Sequence, residues 1–268
     1  MRFIQISDTH LGKTPDFAYN GFNSHQHLEM VINTINALPF EVDFVLHSGD
    51  VVEYGSAEEY QQARRLLERL RFPVRYAVGN HDNAVLLQNA LLGIESPASR
   101  YDYTFEADGV QVAVLDSNNG FVPSGTLTET QLANLRALCT AEGAPLVIVL
   151  HHPPVPLDTP WIAEGWEGFG FRNMLLDCGE AFRAALAPAQ GRLRGVFFGH
   201  IHRAYQVLRD GIFYSSAPST VIQFASYPEQ QMPKPAPDEP PAFALITVAA
   251  EQMTVRQYAL TRPVGVRA

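Results

Sequence analysis

Five short clusters in this 268-residue sequence gather side chains able to bind metal ions: Asp8-Thr9-His10, Gly49-Asp50, Gly79-Asn80-His81-Asp82, His151-His152 and Gly199-His200-Ile201-His202. Their donors Asp8, His10, Asp50, Asn80, His151, His200 and His202 are oxygens and imidazoles, with no thiolate among them. That chemistry suits Zn²⁺, Mn²⁺, Fe or Co²⁺; it suits neither a cysteine-bound structural zinc nor an all-oxygen calcium site. Seven donors are too many for one ion and enough for two, sharing a carboxylate at roughly 3.5 to 4 Å separation. Two divalent ions bring +4 and Asp8 with Asp50 remove 2, which leaves room for a hydroxide and one singly charged oxyanion. A phosphodiester fits that balance. Such a centre lowers the pKa of a bridging water and polarises phosphoryl oxygens, so hydrolysis of a phosphate ester is the expected reaction.

Each cluster follows a segment that reads as a strand, at residues 2–7, 42–46, 74–78, 146–150 and 196–198. In open α/β sheets the ligand crevice lies at the carboxyl ends of the strands, which predicts that the five loops converge. Asp8 and His10 are two apart, as are His200 and His202, and in extended backbone that spacing aims both side chains the same way. Gly49, Gly79 and Gly199 let the chain turn sharply and come close to a ligand. A helix is predicted over 23–38, where Leu28, Val31, Ile32, Ile35 and Leu38 form one apolar stripe before Pro39. Capping boxes at Ser56-Ala57-Glu58-Glu59 and Thr128-Glu129-Thr130-Gln131 open two more helices. Asp108-Gly109 and Asp210-Gly211 each join two strand-like runs as hairpins, and 243–248 with 253–258 alternate like a final pair. The early strand–helix alternation argues for parallel pairing, and the hairpins extend this to a mixed sheet or two stacked sheets.

Composition sets the outer bounds. At 46% apolar and 18% charged, and with no run of about 18 apolar residues, the chain reads as one globular unit over 1–268, neither disordered nor membrane-bound. A net charge of −9 opposes a grip on long nucleic acid, which needs cationic side chains to displace counterions. Cys139 and Cys178 make no disulfide framework, and no secretory signal precedes the first strand, so a cytoplasmic location is expected. Residues 159–173 mix Trp161, Trp166, Phe169 and Phe171 with three glycines. They read as an irregular insertion that could wall a pocket, pack internally or meet a second subunit. Residues 226–241 hold six prolines and are expected as an extended surface loop, whether lid, oligomer contact or connector. His25, His27 and His47 are expected as packed or surface residues. His152 is divided between a role beside the ligands or facing substrate and simple loop packing.

The ordered set Asp8-x-His10, Gly49-Asp50, Gly79-Asn80-His81-Asp82, His151 and Gly199-His200-x-His202 resembles the calcineurin-like metallophosphoesterase superfamily over residues 2 to about 215. Within it, Ser48-Gly49-Asp50, Glu58-Glu59-Tyr60, Gly79-Asn80-His81-Asp82 and His151-His152-Pro153-Pro154 are similar to bacterial class III cyclic-nucleotide phosphodiesterases and their glycerophosphodiesterase relatives. The resemblance implies an α/β fold, a four-layer α/β/β/α sandwich with two mixed β-sheets. It implies Asp8, His10, Asp50 and His202 at one metal and Asp50, Asn80, His151 and His200 at the other, with Asp50 as the bridge. By the same analogy His81 holds the phosphate or protonates the leaving alkoxide, Asp82 orients its ring, and copies of the chain assemble into dimers or larger homo-oligomers. The expected activity is binuclear hydrolysis of a small phosphodiester, of cyclic-nucleotide or glycerophosphodiester type, by a metal-bound hydroxide, with ions drawn from Mn, Fe, Zn and Co. A phosphomonoesterase, a nuclease and a scaffold without metals are the alternatives; the full donor set together with His81 speaks against the last.

Overall fold

The computed structural model describes residues 1–261 apart from 167, 169, 171 and 172, so the expected wall residues Phe169 and Phe171 lie outside the described residues. In the first strand, Arg2–Ile6, successive side chains point to opposite faces, and both faces are buried. Ile4 and Ile6 join Leu28, Val31, Ile32 and Ile35 of the helix Ser24–Asn36. Phe3 instead stacks on Phe44 at 5.0 Å and meets Phe197 edge-on at 5.4 Å. Phe197 belongs to another sheet, so one strand has a helix layer behind it and a second sheet in front.

The first sheet runs Met253–Ala259, Ala242–Val248, Arg2–Ile6, Phe44–His47, Val74–Tyr76. Its last three strands are parallel and the Ala242–Val248 hairpin partner is antiparallel. The second sheet runs Gln206–Arg209, Ile212–Ser216, Leu193–Phe198, Leu146–Val149, Val110–Val114, Tyr103–Ala107. Four parallel strands form its middle and the two edges are antiparallel. Val112, Val114, Val147, Val149 and Ile246 fill the space between the sheets. Leu132, Leu135, Phe182 and Leu186, on the helices Glu129–Thr140 and Gly179–Leu186, cover the outer face of the second sheet through Ile148 and Val196. The layer order is therefore helix, sheet, sheet, helix.

Local chemistry sets the element ends. Asn23 Oδ1 accepts from Gln26 N at 2.8 Å, and Thr128 and Gln131 exchange hydrogen bonds, each closing a helix start. Glu59 accepts from Ser56 N at 2.9 Å at a third. Asp108-Gly109 and Asp210-Gly211 all have positive φ, the turn whose twist matches flanking strands.

Two segments depart from expectation. The proline-rich stretch is only partly a loop: Lys234–Ala236 pairs antiparallel with Gln223–Ala225, Phe224 facing Pro235. A two-stranded ribbon leaves Pro235 an edge position where no donor is needed. The aromatic insertion begins with a short helix, Pro160–Ala163, that buries Trp161. Among the described residues, no helix is long and apolar enough to cross a membrane.

Candidate metal centre

The loops after the parallel strands are tied to one another by backbone. Asp8 N donates to Gly49 O at 3.0 Å, and Thr9 N and His10 N both donate to Asp50 O, at 2.9 and 3.1 Å. Within the second sheet Gly199 N donates to His151 O at 3.0 Å, and across the two sheets His200 N donates to Asp8 Oδ1 at 3.1 Å. Close approach requires glycine. A Cβ on Gly79 would lie 2.1 Å from Asp50 Oδ1, and one on Gly49 (φ +106°) 2.3 Å from His151 Nδ1.

Asp8, His10, Asp50, His200 and His202 have φ of 54°, 41°, 54°, 74° and 48°. Side chains with a Cβ adopt this left-handed region rarely, and such strain concentrates at functional sites. The pairs Asp8/His10 and His200/His202 do converge, but extended backbone is not the reason. Each pair sits in a left-handed turn immediately past its strand, held there by the hydrogen bonds above.

The ring nitrogens fall into an outer and an inner set. His151 Nδ1 donates to Ser48 O at 2.8 Å, His202 Nδ1 to Ile222 O at 3.1 Å, and His10 Nδ1 to Glu53 Oε2 at 2.6 Å. A carbonyl can only accept, so on His151 and His202 the proton sits on Nδ1 and Nε2 points inward, and on His10 the ionised Glu53 carboxylate accepts in the same way. The Nε2 atoms of His10 and His202 face each other at 2.9 Å, with His10 Nε2 3.7 Å from Asp50 Oδ2 and His202 Nε2 3.6 Å from Asp8 Oδ1. On the other side, His151 Nε2 lies 3.2 Å from Asp50 Oδ2, from Asn80 Oδ1 and from His200 Nδ1. Lone pairs facing lone pairs at such distances repel unless a proton or a metal cation lies among them. The donor set therefore fits two cations with Asp50 common to both groups.

Burial keeps the inner imidazoles neutral: it pushes His10 down to about 3 and holds His200 and His202 well below their ordinary value. Burial likewise raises Asp8 to about 7. Asp50 resists the same burial because His151 and His81 hold its carboxyl well below the usual range. His151, against burial, is lifted to about 9 chiefly by Asp50.

His81 lies at the edge of this group with its side chain 27% exposed. Its backbone N donates to Asp50 Oδ1 at 2.9 Å and its ring Nδ1 to Glu53 O at 2.8 Å, leaving Nε2 as the free nitrogen. Burial lowers its pKa, but the carboxylates of Asp50 and Glu53 hold it above the ordinary value. Asp82 departs from its expected role. Its carboxylate accepts from Val51 N, Gly79 N and Tyr60 Oη at 3.1, 2.9 and 3.0 Å, so it pins two ligand loops together while Glu53 orients the His81 ring.

A cavity of about 310 Å³ opens over the donors, with His10, Asp50, Asn80, His81, His200 and His202 in its floor. Its walls are apolar. Tyr19 stacks on His10 at 4.1 Å, Phe224 meets His202 edge-on at 5.1 Å, and Trp161, Trp166, Met174 and Pro233 complete the enclosure. Both segments of uncertain use thus contribute to the wall. His152 does not line the cavity: fully buried, its Nδ1 shares a 2.8 Å hydrogen bond with Ser117 Oγ and its ring packs on His151 and His200. His25, His27 and His47 are packed residues, bonded to Gly12 O, Val221 O and Thr9 Oγ1. Sequence reasoning missed Glu53, Tyr19 and Phe224. Only Glu53, three residues after Asp50 in the same loop, carried a usable signal.

Residues 1–204 match the family model of calcineurin-like phosphoesterases. The chain is 32% identical over 224 residues to the 3′,5′-cyclic adenosine monophosphate phosphodiesterase CpdA of Pseudomonas aeruginosa, a match covering 83% of this chain and 77% of that protein. It is 28% identical over 276 residues to the glycerophosphodiester phosphodiesterase GpdQ of Enterobacter lignolyticus, covering 99% and 93%. A dimetal phosphatase from Danio rerio shares the fold with a TM-score of 0.70 over 96% of both chains, at 16% identity. On the extent of the family match and the identity to its relatives, the chain belongs to the calcineurin-like phosphoesterase family.

Proposed function

We propose that this protein hydrolyses small phosphodiesters at a centre holding two ions drawn from Mn, Fe, Zn and Co. The observation that carries the reading is the convergence of buried Asp8, His10, Asp50, Asn80, His151, His200 and His202 beneath one cavity, whose floor exposes five of them, His10, Asp50, Asn80, His200 and His202. Relatives that carry the names of cyclic-nucleotide and glycerophosphodiester phosphodiesterases support it. When bound, the ion pair supplies a water of lowered pKa and polarises the phosphoryl oxygens.

The chain's own residues do the rest. Asp8, His10, Asp50 and His202 hold one ion and Asp50, Asn80, His151 and His200 the other. His81, with Nδ1 anchored on Glu53 O, turns Nε2 toward the phosphate and donates its proton to a phosphoryl oxygen or to the leaving alkoxide. The aromatic wall packs against the organic part of the ester and keeps bulk water from the donors. Free thiols at Cys139 and Cys178 are consistent with the reducing conditions of a cytoplasm.

The test is a substrate panel with Mn²⁺, Co²⁺ and Zn²⁺ supplied in turn. Bis-p-nitrophenyl phosphate is expected to be turned over faster than p-nitrophenyl phosphate, and 3′,5′-cyclic AMP or a glycerophosphodiester faster than single-stranded DNA. Turnover of DNA without the small diesters, or of the monoester alone, contradicts the proposal.

A further inference from the structure

Glu53 follows the last ligand of its loop and is not itself one of the seven donors. Its Oε2 lies 2.6 Å from His10 Nδ1 and 3.5 Å from His81 Nδ1, with the side chain only 12% exposed. Among the described residues, its ion-pair partners are these two histidines and no Lys or Arg. A buried carboxylate in that setting is costly to hold. The backbone keeps it there all the same: Glu53 N donates to Leu11 O at 3.1 Å, joining the His10 loop to the Asp50 loop. The opposite imidazole, His202, rests its Nδ1 on a neutral carbonyl instead.

We infer that Glu53 is the positioning residue for the His10 side of the centre, fixing the proton on Nδ1 so that Nε2 stays a donor. This role rests on the two-ion reading above. Removing the carboxylate leaves the buried Nδ1–H without its acceptor and frees the proton to move to Nε2, where it would block ligation. The anchor of His81 is the Glu53 backbone carbonyl, which a side-chain substitution does not delete. The effect of the side chain should therefore fall on ion affinity, and on one ion more than the other.

The experiment is calorimetric titration of the metal-depleted chain with Mn²⁺ for the parent, Glu53→Ala and Glu53→Gln, with melting temperatures of the metal-depleted proteins alongside. In Glu53→Ala, one of the two ions is expected to bind roughly 10- to 100-fold more weakly while the other changes little. Glu53→Gln, which keeps an oxygen for Nδ1–H, is expected to recover most of the loss. The Mn²⁺ concentration giving half-maximal turnover should rise by the same factor. Equal weakening of both ions together with a lower melting temperature would mean a structural role and overturn the inference. So would a Gln variant no better than Ala, or an Ala variant that binds both ions as tightly as the parent. A parent chain that binds no pair of ions overturns the two-ion reading itself, and this role with it.

Discussion

Asp50 stands between the two donor groups, its Oδ2 3.7 Å from His10 Nε2 and 3.2 Å from His151 Nε2. Asp50→Ala is therefore expected to reduce turnover to background and to cut the ion content measured by plasma emission below two per chain. Asn80→Ala, which removes a donor from the His151 side only, should also stop turnover but retain one ion. His81→Ala is expected to lower kcat by about 10²- to 10⁴-fold, the usual worth of a proton-transferring side chain, with ion content near that of the parent. Loss of ions from this variant to the extent seen with Asn80→Ala would refute its assigned role. The convergence of these seven residues was legible because each follows a strand-like segment and together they form a coherent ligand set. Glu53 was passed over although it lies three residues after Asp50, because a single carboxylate outside the ligand set reads as a solvated surface group. Its partner His10 is 43 residues away in sequence. The Asp82 role, carried over by analogy with the resembled family, does not match its contacts: its carboxylate turns to the backbone of the neighbouring loop.

The elements place these residues through their ends. The helices Ser24–Asn36, Ala57–Leu67 and Glu129–Thr140, most strands and the Asp-Gly hairpins were readable from periodicity and turn chemistry, whereas the helices Ala84–Leu92 and Gly179–Leu186 were not foreseen. The left-handed turns at Asp8, His10, Asp50, His200 and His202 were not. Asp and His tolerate this region better than most side chains, but that preference is too weak to mark a position, and cross-loop hydrogen bonds fix it. The Gln223–Ala225/Lys234–Ala236 ribbon was hidden by its prolines, and its pairing depends on register rather than composition. The loop geometry makes its own prediction. Gly79→Ala, whose Cβ would press on Asp50 Oδ1, is expected to lose most turnover while keeping parental circular dichroism. Gly143→Ala, with nothing within 4 Å of its added Cβ, should keep full activity. Equal activity in both variants would show that the close approach at Gly79 does not matter to function.

For the molecule as a whole, the centre lies where loops from both sheets meet, tied across by His200 N to Asp8 and His151 Nδ1 to Ser48 O. Ions bound there should fasten the two sheets to each other. At 100 times its Kd, each ion adds about 2.7 kcal/mol to the folded state, and each kcal/mol shifts Tm by roughly 2 to 4 °C for a chain of this size. A chelator should therefore lower Tm by several degrees, and excess Mn²⁺ should restore it; an unmoved Tm would place ion binding outside the folded centre. The most direct measurement of the central claim is anomalous diffraction at the manganese edge from crystals of the protein grown with Mn²⁺. Two peaks roughly 3.5 to 4 Å apart, flanking the Asp50 carboxylate and within ligand reach of His10 with His202 and of His151 with His200, are the predicted result. Peaks elsewhere on the surface, or none among these side chains at saturating Mn²⁺, would contradict it.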